Sequence, residues 1–237
     1  MKEETFFDKF MQASKLDKFN VQQFSQKLNS YNSDNKELNL EYPKESLMLP
    51  KVKSRVNKIA QKRKSDRAFS EKAMTNKELS KVLSSFKSWN GLEHRGYPSA
   101  GATYVTEIFC IPFNTTEYKG NVLYYDSEKH GVTVVNNNAP NWKNASKILN
   151  MNIDGEPNIL IIFVVFSDRA VLKYGERGGR FALLEAGAAM QQLSTQIAEA
   201  KSLKGVIVGG MHDDEWLNIL ELENTEAHIA LGYLVGK

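Results

Sequence analysis

The chain is poor in the residues that would force a special architecture. Cys110 is its single cysteine, so neither an internal disulfide nor a CxxC metal site can form. That fits a reducing, cytoplasmic setting. The longest apolar run, Ile159 to Phe166, is far shorter than the roughly 20 residues a bilayer helix needs. Met1 to Phe10 is charged and lacks the apolar stretch of a secretory signal. The four histidines show no HxxxH spacing, which argues against zinc. There is no GxGxxG for a Rossmann turn and no GxxxxGK[ST] for a P-loop. Neither Cys110 nor Ser167-Asp168 has a nucleophile-elbow context. The formal charge of +3 is too small to argue for nucleic acid.

What is present is an ordinary globular composition, 41% hydrophobic and 25% charged over 237 residues, enough for one substantial core with an extension. Composition divides the chain at about residue 50. Residues 1–50 are polar with spaced aromatics (Phe6, Phe7, Phe10, Phe19, Phe24), as expected of short helices docking on something larger. Tyr42-Pro43 and Leu49-Pro50 mark the break. Residues 51–237 form the main domain.

Within that domain the pattern predicts helices at Lys51 to Arg63, behind Thr75-Asn76, at Trp142 to Leu149, at Gly179 to Ala200 and at Asp213 to Leu220. Strands are expected at Thr103 to Phe113, in a hairpin at Val122 to Tyr125 and Gly131 to Val135, and at Gly205 to Val208 and Ala227 to Val235. Asn158 to Phe166 is almost wholly apolar, as in a strand buried on both faces. Helices mixed with a hairpin suggest an α+β class.

Four segments carry candidate chemistry. Arg63, Lys64, Ser65 and Arg67 combine a planar fork, a point charge and a hydroxyl, the donors a phosphate wants. A solvated basic turn would look the same. Pro98, Ser99, Ala100 and Gly101 are small enough for backbone to lie against a planar ring, or simply a turn feeding a strand. Lys173 and Tyr174, read as lying in a loop with Glu176 and Arg177 nearby, suit proton transfer, or else a charged helix cap. Gly178-Gly179 add flexibility just after that pair. Gly209-Gly210, between a strand and a helix, allow close approach to a bound group or make a tight turn; Asp213, Asp214 and Glu215 weaken a phosphate role there.

Taken in order, these segments resemble one family. Arg63-Lys64-Ser65-Asp66-Arg67-Ala68-Phe69 resembles the phosphate-binding opening of FMN-dependent nitroreductases. Tyr97 to Tyr104 is similar to the PSAG segment of the SagB-type dehydrogenases, a branch of that superfamily. Lys173-Tyr174-Gly175-Glu176-Arg177, with Arg180 through Gly187, resembles that branch's most specific block, and Gly209-Gly210 and Leu231 to Gly236 also match.

The resemblance implies a nitroreductase-like α+β fold, a central mixed or antiparallel sheet flanked by helices, built as an intertwined homodimer with FMN at the interface. It implies phosphate binding by Arg63, Ser65 and Arg67 with Lys64, and a flavin ring against Pro98 to Gly101 and Gly209-Gly210. Lys173 and Tyr174 map onto a catalytic pair, either of which takes a ring proton while the flavin accepts hydride. The activity implied is oxidation of peptide thiazolines or oxazolines to thiazoles or oxazoles. The partners implied are a precursor peptide and a cyclodehydratase. The alternatives are an NAD(P)H-dependent nitro- or quinone-reductase, in which such a pair has no task, and a flavin-binding scaffold subunit of a peptide-modifying complex.

Overall fold

The computed structural model describes residues 4–30, 48–89 and 94–237. Its backbone is one six-stranded sheet. In chain order the strands are a short pair, β1 (Ser88–Trp89) and β2 (His94–Arg95), then β3 (Thr106–Pro112), β4 (Val122–Asp126), β5 (Gly131–Asn136), β6 (Ile159–Phe166), β7 (Lys204–Val208) and β8 (Ala227–Gly236). The large sheet runs β5-β4-β3-β6-β8-β7, and every neighbouring pair is antiparallel. The helices are α1 (Phe6–Ala13), α2 (Val21–Ser30), α3 (Arg55–Ala60), α4 (Asn76–Leu83), α5 (Trp142–Ala145), α6 (Asp168–Tyr174), α7 (Arg177–Glu199) and α8 (Asp213–Ile219). The α+β class is as expected, and the sheet is antiparallel throughout. Among the described residues, no helix is long and apolar enough to cross a membrane.

The centre of the sheet is β6, whose alternate residues feed two cores. Ile159, Ile161 and Phe163 join α4 and α7 on one face; Leu160, Ile162 and Val164 join Trp216 and Leu217 of α8 on the other. That two-sided burial explains the lack of polar alternation in its sequence. The capped helix behind Thr75 is α4: Thr75 accepts from the Glu78 amide while Glu78 accepts from the Thr75 amide. It buries Leu79, Val82 and Leu83.

The helix α7 lies across one face of the sheet. Its buried stripe (Ala182, Glu185, Ala186, Ala189, Leu193, Ile197) follows the 3–4 spacing of an amphipathic helix. The sheet edge it crosses last is β7. Two sequence expectations change here. Lys173 and Tyr174 are not in a loop but in the last turn of α6, a seven-residue helix with no side-chain cap, too short for periodicity to reveal. Gly178 and Gly179 are not a loose joint. They are buried helical positions where a Cβ would strike the Ala170 backbone and the Phe7 ring, so they let α6 and α1 pack closely on α7.

The N-terminal segment is pinned by polar contacts. Asp8 meets His228 of β8 at 3.0 Å, and the Phe6 amide donates to Glu176 at 3.0 Å. Burial alone would raise the Asp8 carboxyl, but the Thr5 hydroxyl and His228 hold it below its ordinary range. Further on, the Leu16 amide donates to the Asp213 carboxylate at 2.9 Å, the Asp213 amide donates to the Leu16 carbonyl at 3.0 Å, and Lys15 pairs with Asp214 at 2.6 Å. The acidic first turn of α8 therefore serves docking as well as the helix dipole. Leu49-Pro50 lies in coil, and Tyr42-Pro43 falls outside the described residues.

Candidate functional site

The turn from Pro98 to Tyr104 has a tightly constrained backbone. Gly101, Ala102 and Tyr104 all have positive φ, at 56°, 54° and 41°. For alanine and tyrosine this is strained, costing on the order of 1–3 kcal/mol each, and such strain persists only where surroundings enforce it. Here they do. Ser99 Oγ accepts from the Tyr104 amide at 2.9 Å and donates to Glu185 at 2.5 Å. Glu185 also accepts from the Thr106 amide at 2.8 Å, at the start of β3. Both oxygens of this carboxylate, 3% exposed, are thus used on the turn and the strand after it.

Beside the turn sits Arg95, also buried. It donates to Tyr97 Oη at 2.9 Å and lies 4.6 Å from the Tyr104 ring centre. Burial works against its charge, but Tyr97, Glu107 and Glu185 favour it more strongly. Burial pushes the Tyr97 hydroxyl up to about 12 and raises the Glu107 carboxyl. Arg169 of α6 ties this cluster to the next helix, donating to the Tyr104 carbonyl at 2.9 Å.

Lys173 and Tyr174 meet this turn. Lys173 Nζ donates to the Gly101 carbonyl at 3.0 Å. A Cβ on Gly101 would overlap both Lys173 Nζ and Tyr174 Oη, so only glycine admits the two side chains together. The Tyr174 ring is braced edge-on by Phe181, centroids 5.1 Å apart. Residues more than 70 apart in sequence thus form one cluster: an amine, a phenol and a backbone cradle. Chemically, it can accept or donate a proton next to a bound planar group.

The other expected residues lie elsewhere. Arg63 and Lys64 line a cavity of about 380 Å³ with Lys62, Lys201, Lys204 and Tyr233, beside the C-terminal end of α7. Lys64 pairs with Asp66 at 2.9 Å. Arg63, Ser65 and Arg67 are exposed, while their backbone is fixed: the Asp66 amide donates to Gly205 of β7, and the Asp154 amide to Arg67. Arg67 faces a separate recess with Asn152, Ile153 and Asp154. Gly209 is open, lining a cavity of about 530 Å³ between α1, α2 and Leu183. Gly210 is buried against Asn150, whose amide donates to the Gly210 carbonyl at 2.6 Å. Pro98, Ser99, Ala100 and Gly101 share the strained turn. One chain therefore brings together two of the four segments, the Ser99–Gly101 turn and the Lys173-Tyr174 pair.

Sequence reasoning missed Glu185 as a site residue. Its signal was present: it is the one charge on the buried stripe of α7, among Ala182, Ala186 and Ala189. A charge there needs partners, and these come from segments remote in sequence.

A nitroreductase family model matches residues 60–237. The chain belongs to the nitroreductase family. It is 27% identical over 181 residues to a protein named as a nitroreductase from Methanocaldococcus jannaschii, covering 75% of this chain and 90% of that one. It is also 27% identical over 139 residues to the microcin B17-processing protein McbC of Escherichia coli, covering 56% of this chain but only 50% of McbC. Among solved structures, the Escherichia coli McbBCD microcin synthetase complex with truncated pro-MccB17 bound superposes with a TM-score of 0.68 at 22% identity, covering 86% of this chain and 79% of the matched chain. A nitroreductase-type structure from Ralstonia eutropha gives 0.62 at 18% identity, covering 84% and 87%. At these identities the structural matches establish the nitroreductase fold.

Proposed function

We propose that this nitroreductase-family protein is an FMN-dependent dehydrogenase that oxidises azoline rings in a precursor peptide, as the SagB-type resemblance implies. The observation that carries this reading is the convergence of Lys173 and Tyr174 on Gly101, with Lys173 Nζ donating to its carbonyl. A reductase that only passes hydride from a nicotinamide to a flavin has no task for such a pair, whereas aromatising an azoline requires removal of a ring proton. The similarity to McbC, named for processing a peptide, supports a peptide substrate.

The residues suit FMN. Arg63, Ser65 and Arg67 offer exposed donors on a fixed backbone; Arg63 shares its cavity with Lys62, Lys64 and Lys204, which add positive charge for a phosphate. Gly101, by lacking a Cβ, leaves room for Lys173 Nζ and Tyr174 Oη over the turn on which the flavin ring would rest. Bound FMN would supply a two-electron acceptor for the hydride. The chain's own part is to hold the substrate ring, keep the Lys173 amine or Tyr174 phenol within reach of its proton, and exclude water from that contact.

The same map supports a homodimer. Glu185, which anchors the Gly101 turn, and Ser194, which lines the basic cavity, are nine residues apart on α7, about 14 Å of helix. The outward face of α7 carries Leu184, 68% exposed, next to the first of these ends, and Gly187, beyond whose Cβ position lies open space, between them. We infer that a second copy packs there and brings its Lys173-Tyr174 pair to the first copy's phosphate segment. A cyclodehydratase would supply the azoline, as the SagB-type resemblance implies.

The test is an absorbance spectrum with mass identification of released cofactor, followed by incubation with a synthetic thiazoline peptide. FMN release and loss of two hydrogens from the peptide are expected. Bleaching by NADH with no peptide oxidation would favour the reductase reading, for which the Methanocaldococcus relative is the supporting observation. Bound FMN with neither reaction would favour the scaffold subunit.

A further inference from the structure

We propose that Glu185 is the positioning residue of the catalytic pair, acting through Ser99 to hold the Gly101 carbonyl under Lys173. This deepens the dehydrogenase reading and rests on it for its catalytic consequence, though not for its geometry. The chain of contacts is continuous. Glu185 accepts from Ser99 Oγ at 2.5 Å and from the Thr106 amide at 2.8 Å. Ser99 Oγ in turn accepts from the Tyr104 amide at 2.9 Å, closing a loop around Ala100, Gly101, Ala102 and Thr103. The Gly101 carbonyl on that loop receives Lys173 Nζ at 3.0 Å.

Three positive-φ residues within four positions mean the loop does not hold this shape by itself. Release of the Ser99 contact would let Ala102 and Tyr104 relax toward negative φ and swing the Gly101 carbonyl away. Lys173, which is exposed and takes no other hydrogen bond among the described residues, would lose its orientation. Burial sharpens the effect: a side chain 3% exposed and hydrogen-bonded at both oxygens is an anchor that water cannot replace. Glu185 touches none of the proposed reacting groups, so its role is to place them.

The experiment compares Glu185→Ala, Glu185→Gln and Ser99→Ala with the wild-type full chain in the presence of FMN. Lysine labelling by 1-fluoro-2,4-dinitrobenzene is mapped by peptide mass spectrometry. Lys173 labelling is expected to rise about threefold to tenfold in Glu185→Ala and Ser99→Ala, the loss of one held hydrogen bond. Lys143 and Lys147 should not change. In Glu185→Gln, the amide oxygen still accepts from Thr106 and the amide nitrogen donates to Ser99, so labelling should stay near wild type. With a synthetic thiazoline peptide, Glu185→Ala should lower kcat about tenfold while KM holds, and Glu185→Gln should recover most of it. The proposal is overturned if Lys173 labels at the wild-type rate in either truncation, if all three lysines speed up together, if Glu185→Gln behaves like Glu185→Ala, or if kcat is unchanged in Glu185→Ala. If the wild type oxidises no thiazoline, the dehydrogenase reading fails while the labelling still decides the role of Glu185.

Discussion

The two ends of α7 are built on opposite principles. At its N-terminal part, the Lys173-Tyr174 pair meets a strained turn clamped by the buried Glu185 and flanked by the buried Arg95. At its C-terminal end, the Arg63–Arg67 segment has a fixed backbone but exposed basic side chains, and among the described residues its one ion pair is internal, Lys64 with Asp66. The first end is held by contacts within the chain; the second is a set of exposed donors, which under the proposed function an anion would order. Proton transfer needs atoms held within tenths of an ångström, so its strain and desolvation are met by folding. Phosphate binding gains more from charge than from exact placement, and exposed cations avoid the penalty of burial without a partner.

Substitutions at the two ends should therefore fail differently. Lys173→Ala is the largest expected effect: dehydrogenase turnover falls about 10²-fold or more, as for removal of a general base, with FMN content unchanged in the released-cofactor assay. If that variant keeps full turnover with FMN bound, Lys173 is not the base and Tyr174 takes its place. Gly101→Ala should come next, at about tenfold to a hundredfold in kcat, because its Cβ would force both side chains from their places at a positive-φ position. Steady-state kinetics on the thiazoline peptide read it, and an unimpaired Gly101→Ala would show that the convergence is incidental.

At the open end the signature reverses. Arg63→Ala should weaken FMN affinity about tenfold, the scale of a charge-assisted hydrogen bond lost to solvent. At saturating FMN its kcat should match wild type. Fluorescence titration of the apoprotein measures this, and loss of kcat with affinity intact would break the division between the two ends.

The smallest effect lies away from both. Burial raises the Asp213 carboxyl to about 6 from an ordinary 3.8. Its contribution to stability is full below pH 3.8 and is lost as pH rises toward 6, so at neutral pH the ionised group is a burden. Asp213→Asn, which keeps an acceptor for the Leu16 amide, should add about 1–2 kcal/mol at pH 7 and flatten the fall in stability between pH 4 and 6. Thermal melts across that range check it. A variant less stable than wild type at pH 7 would mean the docked N-terminal segment needs the charge.

Much of the fold was legible in the residues. The all-apolar β6 and the helix that begins behind Thr75-Asn76 are local patterns that the structure keeps as read. The short helix α6 was not, because seven residues without a cap leave no periodicity, and Gly178-Gly179 read as a joint until the Ala170 and Phe7 contacts explained them. For the candidate site, the motif order pointed to the Lys173-Tyr174 pair and the Ser99–Gly101 turn, but not to their contact.

The sequence by itself determined which residue types were on offer: a basic donor set at Arg63–Arg67, a glycine that alone tolerates its turn at position 101, and an amine beside a phenol at Lys173-Tyr174. Only the tertiary structure decided which of these meet. Local patterns are governed by hydrogen bonds and burial within a few residues, and can be read one segment at a time. The meeting of Gly101 with Lys173, the clamp from Glu185 to Ser99 and Thr106, and the separation of the basic segment along α7 depend on how remote segments pack, and a carboxylate's partners are settled only once the chain has closed around it.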